Sequence, residues 1–180
     1  MSSCSSAGHE SAAPSTHSDQ PIVTGEPAGD NAVDITFANA LIAQNQQEIE
    51  LAKLVADRSS NSNVVALAAT RTSARQSEMS ILKVLVVQWN SNQENQIEHG
   101  NGTATKGALD QATIAKLQSS HGSAFDKLWL QTMIGLDKGS IEAANAEVAG
   151  GKNVDAVDVA KQIVAARPAE IDQMKNLLGA

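Results

Sequence analysis

The stretch Gln131–Ala146, QTMIGLDKGSIEAANA, decides how the chain folds. Ile134, Ile141, Ala144 and, just beyond, Val148 recur at the three-and-four spacing of one helical face, so the segment reads as a helix with an apolar stripe. Asp137 stands in the middle of that stripe, between Ile134 and Ile141. A carboxylate on a dry face costs several kcal/mol unless it is paired or protonated. The stretch therefore predicts both a helical core and a partner for Asp137 inside it.

Working outward, the helix extends over about Ser123–Ala149 and stops at Gly150-Gly151. A following helix spans about Val154–Leu178, with a kink expected near Ala165–Arg167 because Pro168 removes a backbone donor. Upstream, Asp34 is read as the cap of a helix running from Ile35 to about Asp57, with Phe37, Leu41, Ile42, Ile49, Ala52 and Val55 at helical spacing. The turn RSSNSN, Arg58–Asn63, leads to a helix over about Val64–Trp89 whose face carries Val65, Ala68, Thr72, Met79 and Leu82. So short a connection implies an antiparallel hairpin. Asn90–Gly107 is polar and glycine-bearing and reads as a loop, followed by a short helix over Leu109–Leu117.

The two hairpins are copies. A shift of 92 residues lays Phe37–Val86 on Trp129–Leu178 without a gap. It matches Ile42 with Ile134, Ile49 with Ile141, Glu50 with Glu142 and Asn61 with Asn153, then Ala68 with Ala160, Arg75 with Arg167 and Glu78 with Glu170. Two amphipathic hairpins must bury their stripes on each other, which predicts an all-α antiparallel four-helix bundle with pseudo-twofold symmetry. The expected organisation is a tether over residues 1–33 and a bundle over 34–180: repeat one at 34–90, a connection at 91–122 and repeat two at 123–180.

Composition agrees. Aromatic residues are 2% of the chain, and Ala, Val, Leu and Ile supply its apolar share, as suits closely packed helices. A net charge of −7 and a pI near 5.0 argue against nucleic acid as a partner. No run of eighteen apolar residues occurs, so no transmembrane helix is expected. The single cysteine, Cys4, heads a small, polar segment rich in Ser, Ala, Gly and Pro, a flexible tether by composition. A cysteine so placed resembles the first residue of a mature bacterial lipoprotein, where the thiol carries lipid. Met1–Ser3 supply no hydrophobic region, so this chain is expected not to direct its own export. The alternative is an incidental tail cysteine.

Each long helix carries one strongly polar residue in mid-stripe: Asn45, Arg75, Asp137 and Arg167. Symmetry brings the four toward one layer. The prediction is a buried cluster in which Asp137 accepts hydrogen bonds from Arg75 or Arg167 and Asn45 fills the remaining positions, guanidinium being the cation best suited to a carboxylate out of water. The competing arrangement lets both arginines reach solvent along their stems.

The doubled pattern F-x3-(L/M)-I, with Trp129 in place of Phe in the second copy, then I-(E)-x-A, then V-x2-A-x6-R-x2-E-(M/I)-x2-(L/M), together with Met133-Ile134 and the run Glu170–Met174, resembles the domain-of-unknown-function family numbered 305 over about Asp34–Leu178. That resemblance implies an exported bacterial protein, often a lipoprotein, with a ferritin-like four-helix bundle. It also implies a metal site at a His-His pair in the first helix of each repeat, associated in some members with copper. Those positions here hold Gln44 and Asn45, and Leu136 and Asp137. The family's usual Gln in each second helix corresponds to Arg75 and Arg167. A guanidinium offers a metal no lone pair, so the departure argues against the family's metal function.

Other candidates are weaker. His9 and His17 in the tail, His99 in the loop and His121 before the third long helix lack ligand spacing. Met79, Met133 and Met174 sit at core spacing. Glu48, Glu78 and Glu170 resemble the carboxylates of di-iron bundles, but no Glu-x-x-His accompanies them. No phosphate loop or nucleophile motif appears. Two function classes remain ahead of an enzyme. One is a non-enzymatic envelope interaction protein, membrane-anchored through Cys4, with a degenerate metal site and no cofactor. The other is a copper-binding or buffering protein using Met133, Met174, Asp137 and His121.

Overall fold

The computed structural model describes residues 29–93 and 109–179. The tether, Cys4, His9, His17, His99 and most of the polar loop predicted after Trp89 lie outside the described residues. Among the described residues six helices follow in order: α1 Ala32–Lys53, α2 Val55–Arg58, α3 Ser62–Gln93, α4 Gln111–Ser119, α5 Gly122–Gly150 and α6 Val154–Gly179. The four long ones form the bundle, with α1 packed on α3 and α5, and α6 packed on α5 and α3. Adjacent helices are antiparallel, while α3 and α5 run the same way, so one long crossover joins the hairpins as in ferritin-like bundles.

Two apolar layers result. One gathers Phe37, Leu41, Leu82, Trp89, Ala144, Ala156 and Ile163 at the end where α1 starts. The other gathers Leu51, Val55, Leu67, Leu117, Phe125, Trp129, Met133 and Met174 at the opposite end. Here Trp129 Nε1 donates to the Leu51 carbonyl at 3.2 Å, locking α5 to α1. Arg58 clamps α4 through two hydrogen bonds to the Gln118 carbonyl.

The buried phase of two helices differs from the sequence-based expectation. On α5 the inward residues are Phe125, Trp129, Met133, Leu136, Asp137, Ser140, Ala144 and Glu147. Ile134 and Ile141 are only half-buried and Val148 is 42% exposed. The face is thus turned about one residue from the stripe drawn through the isoleucines, because buried polar side chains occupy positions that a hydrophobic pattern passes over. On α3 the core takes Val64, Ala68, Arg71, Arg75, Leu82, Leu85 and Trp89, while Val65 is 41% exposed and Thr72 and Met79 are half-buried. This alternation of four and three is the coiled-coil seam spacing.

The first cap also differs. Asn31, not Asp34, is the N-cap of α1: its side chain accepts from the backbone N–H of Val33 and Asp34, and Asp34 answers the Asn31 N–H, closing a capping box. Buried Asp34 then reaches across to accept from the backbone of Lys152 and Asn153, stapling α1 to the α5–α6 turn. The matched asparagines of the two repeats, Asn61 and Asn153, accept from Asn63 N and Ala156 N at the starts of α3 and α6. The helical assignment of α6 runs unbroken through Pro168.

Candidate functional site

Between the two apolar layers lies a layer of charge. Asp137 is fully buried and accepts from three arginines. Arg71 forks onto it, Nη1 to Oδ2 at 2.9 Å and Nη2 to Oδ1 at 2.8 Å. Arg75 Nη2 and Arg167 Nη1 reach Oδ1 at 3.3 and 3.2 Å. Glu48 of α1 accepts from Arg71 Nη2 at 2.7 Å and Arg75 Nε at 2.8 Å. Glu78 and Glu170 close the ring: Glu78 accepts from Arg75 and Arg167, and Glu170 from all three arginines. Glu78 and Glu170 are 24% and 27% exposed, so the layer meets solvent only where these two side chains lie.

The sequence places these groups by helical spacing. Arg71, Arg75 and Glu78 follow one another on the inward face of α3, each a turn apart, and Arg167 and Glu170 repeat the last two on α6. Three guanidinium cations face four carboxylates. Burial drives the Asp137 carboxyl up to about 6 against the pull of the Arg71 hydrogen bonds, so it is ionised at pH 7. Burial also raises Glu78, while the carboxylates around Arg71 hold that guanidinium firmly protonated.

Of the sequence-predicted residues, Arg75, Arg167 and Asp137 come together. Asn45 does not fill the space around Asp137; its Nδ2 donates to Glu78 at 3.3 Å. Gln44 lies apart, accepting from Ser140 Oγ at 2.9 Å in a separate α1–α5 contact. Met133 and Met174 share the apolar layer beside α4, whereas exposed His121 is the N-cap residue of α5. Sixteen residues separate it from Asp137, about 24 Å of helix at ~1.5 Å per residue. These four candidates therefore do not form one site. The sequence reasoning missed Arg71 and set Glu48, Glu78 and Glu170 aside.

The residues present do not fit a cation at this layer. Asn45 Oδ1 and Glu48 Oε1 are the buried oxygens there with no protein donor, and the other Glu48 oxygen is already held by two arginines. A metal would need more lone pairs than these and would meet three guanidinium charges. Among the described residues no group of three His, Cys, Asp or Glu is disposed to hold a metal ion.

A second polar contact joins the bundle end. Glu147 of α5 is fully buried beside Asp34, and burial together with that neighbouring carboxylate raises its pKa to about 8. Against the cost of burial, Asp34 is lowered by its hydrogen bond with Glu147 and then by its backbone donors. The pair thus shares one proton at neutral pH.

Comparison with known proteins places the fold. The family DUF305, "Domain of unknown function", matches residues 34–178. A candidate secreted DUF305 protein from Streptomyces coelicolor superposes with a TM-score of 0.72 at 21% identity, covering 82% of this chain and 91% of that one. A DUF305 fragment from Deinococcus radiodurans gives 0.73 at 18% identity, covering 84% and 98%. CopM in its Cu(I)-bound form gives 0.66 at 18% identity, covering 80% and 94%. No curated protein gives a sequence match.

Proposed function

The chain belongs to the DUF305 family, and we propose that it serves there as a non-enzymatic interaction or accessory protein of the bacterial cell envelope, its central layer closed by ion pairs where relatives would seat a metal. The observation that carries this is the convergence of Arg71, Arg75 and Arg167 on Asp137. Extracytoplasmic placement is supported by the tether composition and by the secreted character given to the Streptomyces relative, and Cys4 at the head of the tether is where lipid would attach. Among the described residues, no helix is long and apolar enough to cross a membrane.

The copper reading rests on the likeness to CopM, which binds Cu(I) and Cu(II) in its own structures. At 18% identity that likeness carries the fold alone. Titration with Cu(I) against a competing chelator separates the two readings. The full chain carrying Cys4→Ser, His9→Ala and His17→Ala, which strip tail ligands, is expected to show no stoichiometric uptake. Saturable binding of one copper per chain by that variant would overturn the proposal.

A further inference from the structure

We propose that the outward face of α3 is the contact surface for a second copy of this chain, packed antiparallel about a two-fold axis level with residues 78 and 79. Helix α3 carries four charged residues, and Arg71, Arg75 and Glu78 are committed to the central layer. Only Lys83 remains exposed, on a flank. On the side away from the buried seam run Ser73, Ser77 and Ser80, with Thr70 toward α6, and their hydroxyls donate to their own helix at the carbonyls of Ala69, Ser73, Gln76 and Ala66. Those hydroxyls are spent, so the face presents small groups without hydrogen-bonding demand. Beside them stand Ile81 and Val84, 49% and 56% exposed and one turn apart.

The pseudo-symmetry supplies an internal control. The residues of α6 matched to Ser80, Ile81 and Val84 are Asp172, Gln173 and Asn176, all polar. The bundle therefore does not require an apolar surface here; the first repeat alone has one. A chain of net charge −7 repels its own copy, and that repulsion is least where an isologous contact joins two patches of little charge, as here. The face is also self-complementary. An antiparallel two-fold between residues 78 and 79 sets Val84 of one copy over Ser73 of the other, and Ser80 over Ser77, bulky on small, as close helix packing needs.

Analytical ultracentrifugation of the full chain tests this. The mass should climb from 18.7 kDa toward twice that value as concentration rises, and added salt should strengthen association by screening the like charges. Val84→Glu, and separately Ser77→Arg, should hold the chain monomeric while leaving its circular dichroism unchanged and, at dilutions where the parent is itself monomeric, its Tm as well. In a Cys4→Ser chain, Ser73→Cys with Val84→Cys should give disulfide-linked dimers, whereas the matched α6 pair, Ala165→Cys with Asn176→Cys, should not. A monomer at every concentration overturns the proposal and leaves this face to a different occupant. So does a dimer indifferent to both α3 substitutions, or equal cross-linking from the two cysteine pairs.

Discussion

At the scale of the residue, the central question is what happens to a buried charge when its counter-charge is removed. Asp137 holds three guanidinium groups that have left water, and Arg71 has no other bidentate acceptor. Asp137→Ala is expected to cost about 3–5 kcal/mol, read from urea unfolding, because the arginines stay buried with one carboxylate fewer. A loss under about 1 kcal/mol would mean the layer behaves as a solvated surface pair. Glu48 and Arg71 are expected to be coupled: in a cycle of Glu48→Leu, Arg71→Met and the double variant, the double should cost less than the sum by about 1–3 kcal/mol. Asp137 was legible because it interrupts a stripe, and Arg75 and Arg167 because the repeat matches them. Arg71 and Glu48 were not, since their repeat counterparts are Ile163 and Ser140. A search for symmetry overlooks residues that break it. The inward phase of α3, which places Arg71 one turn before Arg75, was the signal available.

At the scale of the element, the α5–α6 turn is held by space as much as by conformation. A Cβ on Gly151 would lie 2.3 Å from Glu147 Oε1 and 2.7 Å from the Glu147 carbonyl oxygen, while its φ of −67° suits any residue. Gly151→Ala is expected to destabilise by about 1–3 kcal/mol, measured by thermal or urea unfolding, since backbone must move. The sequence marked Gly150-Gly151 as a helix stop; it could not show that a buried glutamate presses on the second glycine. The same end of the bundle sets a pH dependence. Glu147 binds its proton up to about pH 8 when folded but releases it near the ordinary glutamate value of 4.5 when unfolded. At Glu147 the folded state therefore holds more protons between those values, so the stability linked to this group is fully present below about pH 4.5 and is lost as pH rises toward 8. Asp137 acts in the same sense to about pH 6 and burial raises Glu78 too, so the part of the slope from pH 6.5 to 8.5 that belongs to Glu147 is the part lost with its carboxyl. The Asp34 and Glu147 carboxyls face each other there, with the Lys152 ammonium outside them against Gly29. Across that window unfolding free energy is expected to drop by at most about 1.4 kcal/mol per pH unit. Glu147→Gln, which keeps a donor for Asp34 but cannot ionise, should flatten the slope; an unchanged slope would place the titration elsewhere.

At the scale of the whole molecule, the repeat made the bundle, its antiparallel hairpins and its polar layer legible, because two amphipathic copies have few ways to bury their faces. What it left open is why charge persists at the centre. A buried ion network is weak support for stability, since well-packed apolar groups of similar volume are often neutral or better. Its use here is register. The two apolar layers are built largely from Leu, Ile, Val and Ala on seam positions that repeat every seven residues, so a slide of one helix by a heptad would still bury apolar surface. It would also pull Arg71, Arg75 and Arg167 off Glu48 and Asp137, the carboxylates that α1 and α5 bring to this layer. A variant with Glu48→Leu, Asp137→Leu, Arg71→Met, Arg75→Met and Arg167→Met removes the landmarks and leaves Glu78 and Glu170 room to reach water. It is expected to unfold at an equal or higher urea midpoint than the parent, yet to bind a hydrophobic dye and lose dispersion in its methyl spectrum, the marks of a core without one packing. A variant that keeps sharp spectra and excludes the dye would show that the apolar layers, with the contacts of Asp34, Gln44 and Trp129 still in place, fix the register, and that the charges at the centre serve some end other than specifying the fold.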